Sequence, residues 1–286
     1  MKKIKVKHMR LGIQITFLFI VIIAASSSYL QSNGIVFPWV SESTFHYIGP
    51  ICGVTSIYQF LTSSTLWVVK IKSVLGIVIG LSLMLSVLFG PVICGFICPF
   101  GTLQDLGAKI GRKIFKDKYN TFIPKRLNNK LKYLRYVTFI LTIILTATSS
   151  IALLEMINPY HGFLGIFNRR ISMVALAMFT LIMSLSLFIH RPWCRYLCPY
   201  GAYLGLFNKI KVFRILRKKS TCVGCKKCSK NCPVGIDVHD KEEVRDLNCI
   251  SCLECVNRGV CPKKDTLLIT SKDEVEQKIS EDIKEK

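Results

Sequence analysis

A polytopic α-helical membrane protein, with about four spanning helices and a small cysteine-rich α+β domain behind them, is the architecture this sequence predicts. Three observations predict it: four long apolar runs, a phrase that recurs one hundred residues later, and eight cysteines grouped near the C-terminus. Of the 286 residues, 51% are hydrophobic, and the mean hydropathy of +0.41 is high for a soluble protein.

The apolar runs are Leu11–Leu30, Ile71–Ile93, Tyr136–Leu154 and Ile171–Ile189. Each is about 20 residues, the length a helix needs to cross roughly 30 Å of hydrocarbon. Ser, Thr and Gly within them are no obstacle, because a helix satisfies its own backbone. The first run follows the basic stretch "MKKIKVKHMR" and contains "AASSS". That resembles a signal peptide, but the run is longer than a usual apolar signal region and reads as an uncleaved helix.

The formal net charge of +22 suggests nucleic acid, but its distribution argues against that partner. Ten Lys/Arg and one Asp lie from Lys109 to Arg135, eight Lys/Arg and no acid from Arg191 to Lys219, and none of either base from Gln31 to Val69. This is the positive-inside asymmetry of a multi-pass protein. It puts the N-terminus, the 94–135 connection and everything after Arg191 in the cytoplasm, against an anionic inner leaflet. Residues 31–69 and about 155–170 then face outward. The expected location is the cytoplasmic membrane of a prokaryote.

The chain contains an internal duplication. "FGPVICGFICPFGTLQDLGAKI" and "IHRPWCRYLCPYGAYLGLFNKI" align without a gap from Phe89 and Ile189. The unit is a helix pair used twice, which predicts a pseudo-twofold bundle with both cysteine pairs at the cytoplasmic face. A weaker echo, "CGVTSIYQFL" at Cys52, reads as an interfacial helix of the outer loop with Trp67 as an anchor. Cys52 itself is given no role.

Thirteen cysteines in a mostly cytoplasm-facing chain are not a disulfide framework, since that compartment keeps thiols reduced. Cys222, Cys225, Cys228 and Cys232 occur as C-x2-C-x2-C-x3-C-P; Cys249, Cys252, Cys255 and Cys261 occur as C-x2-C-x2-C-x5-C-P. Structural zinc uses separated C-x2-C pairs. Triplets with a remote fourth cysteine before proline are instead the pattern of two [4Fe-4S] clusters, in which that fourth cysteine serves the other cluster. The expected sets are therefore crossed: Cys222, Cys225, Cys228 and Cys261 for one cluster, and Cys249, Cys252, Cys255 and Cys232 for the other. The five-residue gap before Cys261, where three is usual, is a departure that a bulge through "VNRGV" could absorb. The expected domains are a membrane domain over 1–219, a two-cluster ferredoxin-like α+β domain over 220–270, and a charged tail over 271–286.

Cys94 with Cys98, and Cys194 with Cys198, are spaced i, i+4, which places each pair on one face of a helix. Pro99 and Pro199 follow, where a helix tends to stop. Four thiols brought together at the inner face have three possible uses: a further cluster or other metal, a thiol–disulfide couple, or simple packing of buried cysteine.

On these motifs the chain resembles the NapH/NosR/YccM-type membrane iron–sulfur proteins, in which C-x3-C-P phrases follow transmembrane helices and a two-cluster module follows them. The likeness runs from the first helix to Thr270 and is nearest the four-helix NapH-type layout. It implies a subunit that takes electrons from membrane quinol and passes them to a redox partner, a reductase or ferredoxin, with the twelve motif cysteines as its ligands. An assembly or maturation factor, supplying electrons or metal to a partner metalloenzyme, is the alternative, and a redox sensor a third reading. For a quinone site, Glu155, His161 and His46 are the candidates, as ionisable groups at the outer edge of the bilayer. His190, Arg191 and Arg195 read as markers of the inner headgroup boundary. There is no C-x-x-C-H for covalent haem and no G-x-G-x-x-G for a dinucleotide.

Overall fold

The computed structural model describes residues 6–32, 51–62, 74–148, 150–168, 172–257, 260–263 and 266–271. The duplication is visible in the order of its helices. The first unit is α1 (Val6–Ser32), α2 (Cys52–Thr62), α3 (Val74–Phe89), α4 (Val92–Phe96) and α5 (Pro99–Phe115). After α6 (Lys125–Leu131) the second unit follows. It comprises α7 (Leu134–Ala147), α8 (Ile151–Ile157), α9 (Pro159–Asn168), α10 (Met173–Ser186), α11 (Pro192–Tyr196) and α12 (Pro199–Leu206). The units pack crosswise: short helix α2 lies on α7 of the second unit, and short helix α9 lies on α1 of the first.

All four apolar runs are helical over most of their described residues, and Ile71–Ile93 breaks at Gly90-Pro91, between α3 and α4. Their lengths differ from the expectation. Among the described residues one stretch, His8–Ser27, is long and apolar enough to cross a bilayer; α9 with α10 qualifies only as a span bent by 114°. Helices α3, α7 and α10 have 16, 14 and 14 residues. The run Tyr136–Leu154 is split into α7 and α8. The Thr148 hydroxyl donates to the Ile144 and Leu145 carbonyls, and hydroxyls that bond back to the ladder favour its end.

The apolar helices wear their hydrophobic residues outward. Phe19, Ile77, Leu81, Met84, Val137, Ile140, Ile144 and Leu181 are exposed, whereas Ser82, Ser86, Thr142, Thr146 and Ser186 are buried. Their hydroxyls donate to carbonyls one turn back.

The C-terminal part is built on two antiparallel strands, β1 (Phe213–Arg217) and β2 (Leu267–Ser271), in the register Phe213↔Ser271 to Arg217↔Leu267. They tie the two ends of the cysteine-rich stretch together. Val234, Ile236, Val238, Val244 and Leu267 pack beneath it. Between the strands lies one short helical turn, α13 (Lys227–Lys230).

The echo at Cys52 forms α2, with residues 51–56 at its head buried. His190, Arg191 and Arg195 are also buried, within a polar network described below. Trp67 and the tail after Ser271 lie outside the described residues.

Candidate iron–sulfur centres

The cysteine pairs of the repeated phrase do not each share a helix. Cys94 lies in α4, whereas Cys98 is the residue capping the N-terminus of α5, with φ −59° and ψ 115°. Cys198 caps α12 with φ −69° and ψ 111°, and its Sγ accepts a bond from Gly201 N at 3.3 Å. The prolines explain this. A residue before proline is driven out of the helical region, and proline suits the first helical position. The second cysteine of each pair is therefore held at a helix N-terminus, where backbone N–H groups favour a thiolate.

Cys94, Cys98, Cys194 and Cys198 line one enclosed cavity with Ile93, Tyr200, Gly201 and Ile250. Burial pushes all four thiols above the usual thiol range. Four thiols around one cavity are a donor set for a cluster or another metal. Zinc at about 2.3 Å from each sulfur would pull thiolates to within about 4 Å of one another. A cubane spreads them over its corners, so four thiols lining a cavity fit a cluster better than an ion.

In the C-terminal part, Cys222, Cys225, Cys228 and Cys261 line a second cavity, with Arg217, Lys226 and Lys263 at its rim. Cys225 is exposed, Cys222 and Cys261 half-buried. Cys232, Cys249, Cys252 and Cys255 are buried and lie within one another's electrostatic reach. Burial pushes Cys232 up to about 12. Cys255 is also within electrostatic reach of Cys228, so the two sets of cysteines are neighbours. None of the cysteines is in a disulfide.

The second cysteine loop is seated directly on the repeated phrase. A Cβ on Gly95 would stand 2.7 Å from the Ile250 carbonyl oxygen and 3.1 Å from Cys252 Cα, so only glycine allows that approach. Around it runs a polar network that sequence reasoning did not single out. Asp105, the lone acid of the phrase, accepts from Arg191 Nε and Nη2 at 2.7 Å each, from Gln14 at 3.0 Å, and from Arg10, and pairs with His190 at 3.0 Å. Arg191 Nη1 also donates to the Cys94 carbonyl at 2.7 Å, and Arg10 reaches Glu254 of the cysteine loop at 3.0 Å. From the second unit, Arg135 donates to the Gly201 carbonyl and, at 3.0 Å, to Asn248. Burial alone would raise the Asp105 pKa, but Arg191, the His190 hydrogen bond and Arg10 outweigh it and hold the carboxyl well below its usual range. Burial lowers His190 to about 4, against the pull of Asp105. The available signal was the isolation of one acid beside a cysteine pair in an otherwise basic connection.

Of the quinone-site candidates, His161 sits at the head of α9 beside Cys52. Glu155 belongs to α8, but its side chain lies outside the described residues, as does all of His46. Of the three, His161 is the one whose side chain the described residues place.

Comparison with known proteins agrees with these motifs. A family model for a 4Fe-4S binding domain matches residues 73–117 and 171–221, the two copies of the repeat. A 4Fe-4S dicluster domain model matches 214–262. The uncharacterized protein MJ0750 of Methanocaldococcus jannaschii is 38% identical over 184 residues, 64% of this chain and 74% of that protein. YccM of Escherichia coli, a candidate electron transport protein, is 30% identical over 85% of this chain and 66% of its own length. The ferredoxin-type protein NapH of Haemophilus influenzae is 27% identical over 64% of this chain and 63% of its own length. The chain thus spans slightly less than two thirds of YccM and of NapH. No solved structure matches. The chain belongs to the NapH/NosR/YccM-type family of iron–sulfur electron-transport proteins.

Proposed function

We propose that this chain is a multi-pass membrane protein that accepts electrons from the membrane quinol pool and hands them to a partner reductase. One observation carries the reading. Ile250 of the second cysteine loop lines the same cavity as Cys94, Cys98, Cys194 and Cys198, so the donor set at the membrane domain and the loop around Cys249 and Cys252 share a wall. Clusters bound to these thiolates would supply one-electron chemistry over a potential range set by charge and hydrogen bonding. The chain's own part is placement and tuning. Arg191 stands within electrostatic reach of both Cys194 and Cys252, a fixed positive charge between two electron-rich sites. Cys225, being exposed, is the natural exit.

The membrane reading is supported by the outward apolar residues of α1, α3, α7 and α10 and by the buried hydroxyls of α3, α7 and the end of α10, because packing within a bilayer favours small and hydroxyl residues at helix contacts. The positive-inside asymmetry puts the cysteine loops on the cytoplasmic side. The exit is ringed by exposed Lys226, Lys227, Lys230 and Lys263, and no acid occurs from Lys218 to Ile236. That rim suits an acidic redox partner.

The deciding experiment is iron and sulfide per chain with low-temperature EPR, on anaerobically purified protein and on a Cys94, Cys98, Cys194, Cys198→Ser variant. The expected result is about twelve irons falling to about eight in the variant, three clusters against two. About eight irons in both would make the repeated pairs structural or thiol-redox groups, and zinc in place of iron would end the electron-transfer reading.

A further inference from the structure

The two units carry a second pair of matching phrases. Pro50-Ile51-Cys52-Gly53 leads into α2, and Pro159-Tyr160-His161-Gly162 leads into α9. Each stands between the first and second apolar helix of its unit, so α2 and α9 occupy corresponding places in the helix order. In the fold these counterparts meet: Cys52 Sγ lies 3.7 Å from His161 Nε2. Asn158, wholly buried, brings its Nδ2 to 3.9 Å from the same sulfur. Two short helices of 11 and 10 residues therefore aim their N-termini at one junction between the units. In duplicated membrane folds, short interrupted helices at corresponding positions mark the ligand site, with their positive ends turned to an electron-rich ligand group.

An independent observation points to a ligand. Tyr160 is 1% exposed, and among the described residues its buried hydroxyl has no hydrogen-bond partner. Such an orphan is costly, on the order of 1–3 kcal/mol, unless a further group fills it. The hydroxyl lies within electrostatic reach of both Cys52 and Cys98. A Cβ on Gly53 would stand 2.8 Å from the Tyr200 ring, which seats α2 against the residue two places after Cys198. His161 is half-buried, and the neighbouring surface of α8 and α9 is apolar, with Leu153, Met156, Ile157 and Ile166 exposed. A ligand arriving there crosses an apolar surface and meets an O–H donor and an imidazole.

We propose that the α2–α9 junction binds the ring oxygen of a lipid-soluble hydroquinone, with Tyr160 donating to that oxygen and His161 facing its hydroxyl proton. The assignment rests on the quinol-linked reading above and gives it an entry site on the Cys98 side of the cavity. In the step, the two O–H bonds of the hydroquinone break and it leaves as the quinone. Its two electrons reduce two iron–sulfur centres by one each. One proton goes to the His161 imidazole and the other to water at the half-exposed edge.

The test uses full-length holoprotein in liposomes under anaerobic conditions, with menadiol as donor and an azidonaphthoquinone as photolabel. The expected result is reduction of the wild-type clusters by menadiol and label mapping to residues 52–62 or 159–168. Tyr160→Phe and His161→Gln should each raise the menadiol KM at least tenfold, with iron content and dithionite-reduced EPR spectra unchanged. If menadiol reduces the wild type but the label maps elsewhere and both variants keep the wild-type KM, the junction is overturned while quinol-linked transfer stands. If dithionite reduces the wild-type clusters and menadiol does not, the quinol reading falls and the junction with it. Label mapping on the wild type decides the matter even where a variant loses iron.

Discussion

Asp105 is the residue on which the contact between the repeated phrase and the second cysteine loop depends. Four donor side chains from α1 and the head of α11 converge on it, and one of them, Arg191, is wholly buried. Removing one partner of a buried ion pair typically costs about 3–5 kcal/mol, because the other charge is left uncompensated. Asp105→Asn should therefore lower the denaturant midpoint by that order and loosen the loop at Cys249, read as faster amide exchange in residues 247–252. His190 makes the network acid-sensitive. Its folded pKa of about 4 lies below the ordinary value near 6.5. The stability it contributes is complete above pH 6.5 and is lost as pH falls towards 4, on the order of 3 kcal/mol in all. Asp105, whose pKa is also depressed, is lost only at lower pH still, so the two act in the same direction. Unfolding followed from pH 7 to pH 4.5 should show this slope, and His190→Gln should flatten it. An unchanged slope in that variant would move the sensitivity elsewhere.

At the scale of elements, the break between the two cysteines of each phrase matters more than the helices it joins. A continuous helix would have put Cys94 and Cys98 one turn apart on a single face; the break at Pro99 instead sets Cys98 at the head of α5. Replacing Pro99 and Pro199 by alanine should restore helical continuity and reduce iron bound by the membrane domain, while the eight C-terminal cysteines keep theirs. Gly95 is the matching feature on the docking side. Gly95→Val inserts side-chain atoms where even a Cβ meets the Ile250 carbonyl at 2.7 Å. Overpacking of this kind costs about 1–3 kcal/mol, and lifting the loop should slow electron transfer from the membrane domain to the C-terminal clusters. Stopped-flow reduction of each EPR-distinguishable centre reads the two steps separately. Equal rates in variant and wild type would show that the Gly95 contact is not on the route.

Over the whole molecule, the C-terminal part has one two-stranded sheet and a small apolar core, too little to fold firmly by itself. Stripping iron with a chelator under oxidising conditions should therefore melt the C-terminal cysteine-rich part while the signal of the N-terminal helices persists, since ligand binding energy in such domains is folding energy. The lysine rim around Cys225 predicts a strong salt dependence for any acidic partner. Its association rate should fall several-fold between low and physiological ionic strength, and Lys226→Glu with Lys227→Glu should abolish that dependence. A rate indifferent to salt would place the exit on another face.

Much of this was legible along the chain, because covalent spacing carries it. The eight C-terminal cysteines, the duplication and the four apolar runs are periodic facts that need no partner to be read. The crossed cysteine grouping follows from a motif in the same way. What spacing could not reveal is who meets whom across the duplication. Cys52 and His161 are 109 residues apart, and nothing local marks either as the other's neighbour. Asp105 looks like one stray acid until Arg10, Arg191 and His190 close on it from distant helices. The residues at the start of α11 looked like a headgroup boundary because basic residues at a helix end usually are; burial made them a network instead. The sequence by itself determined which chemistry the chain can hold, since ligand type and spacing are local. The tertiary structure alone decided how those sites are wired together, because contacts between repeats depend on packing and not on distance along the chain.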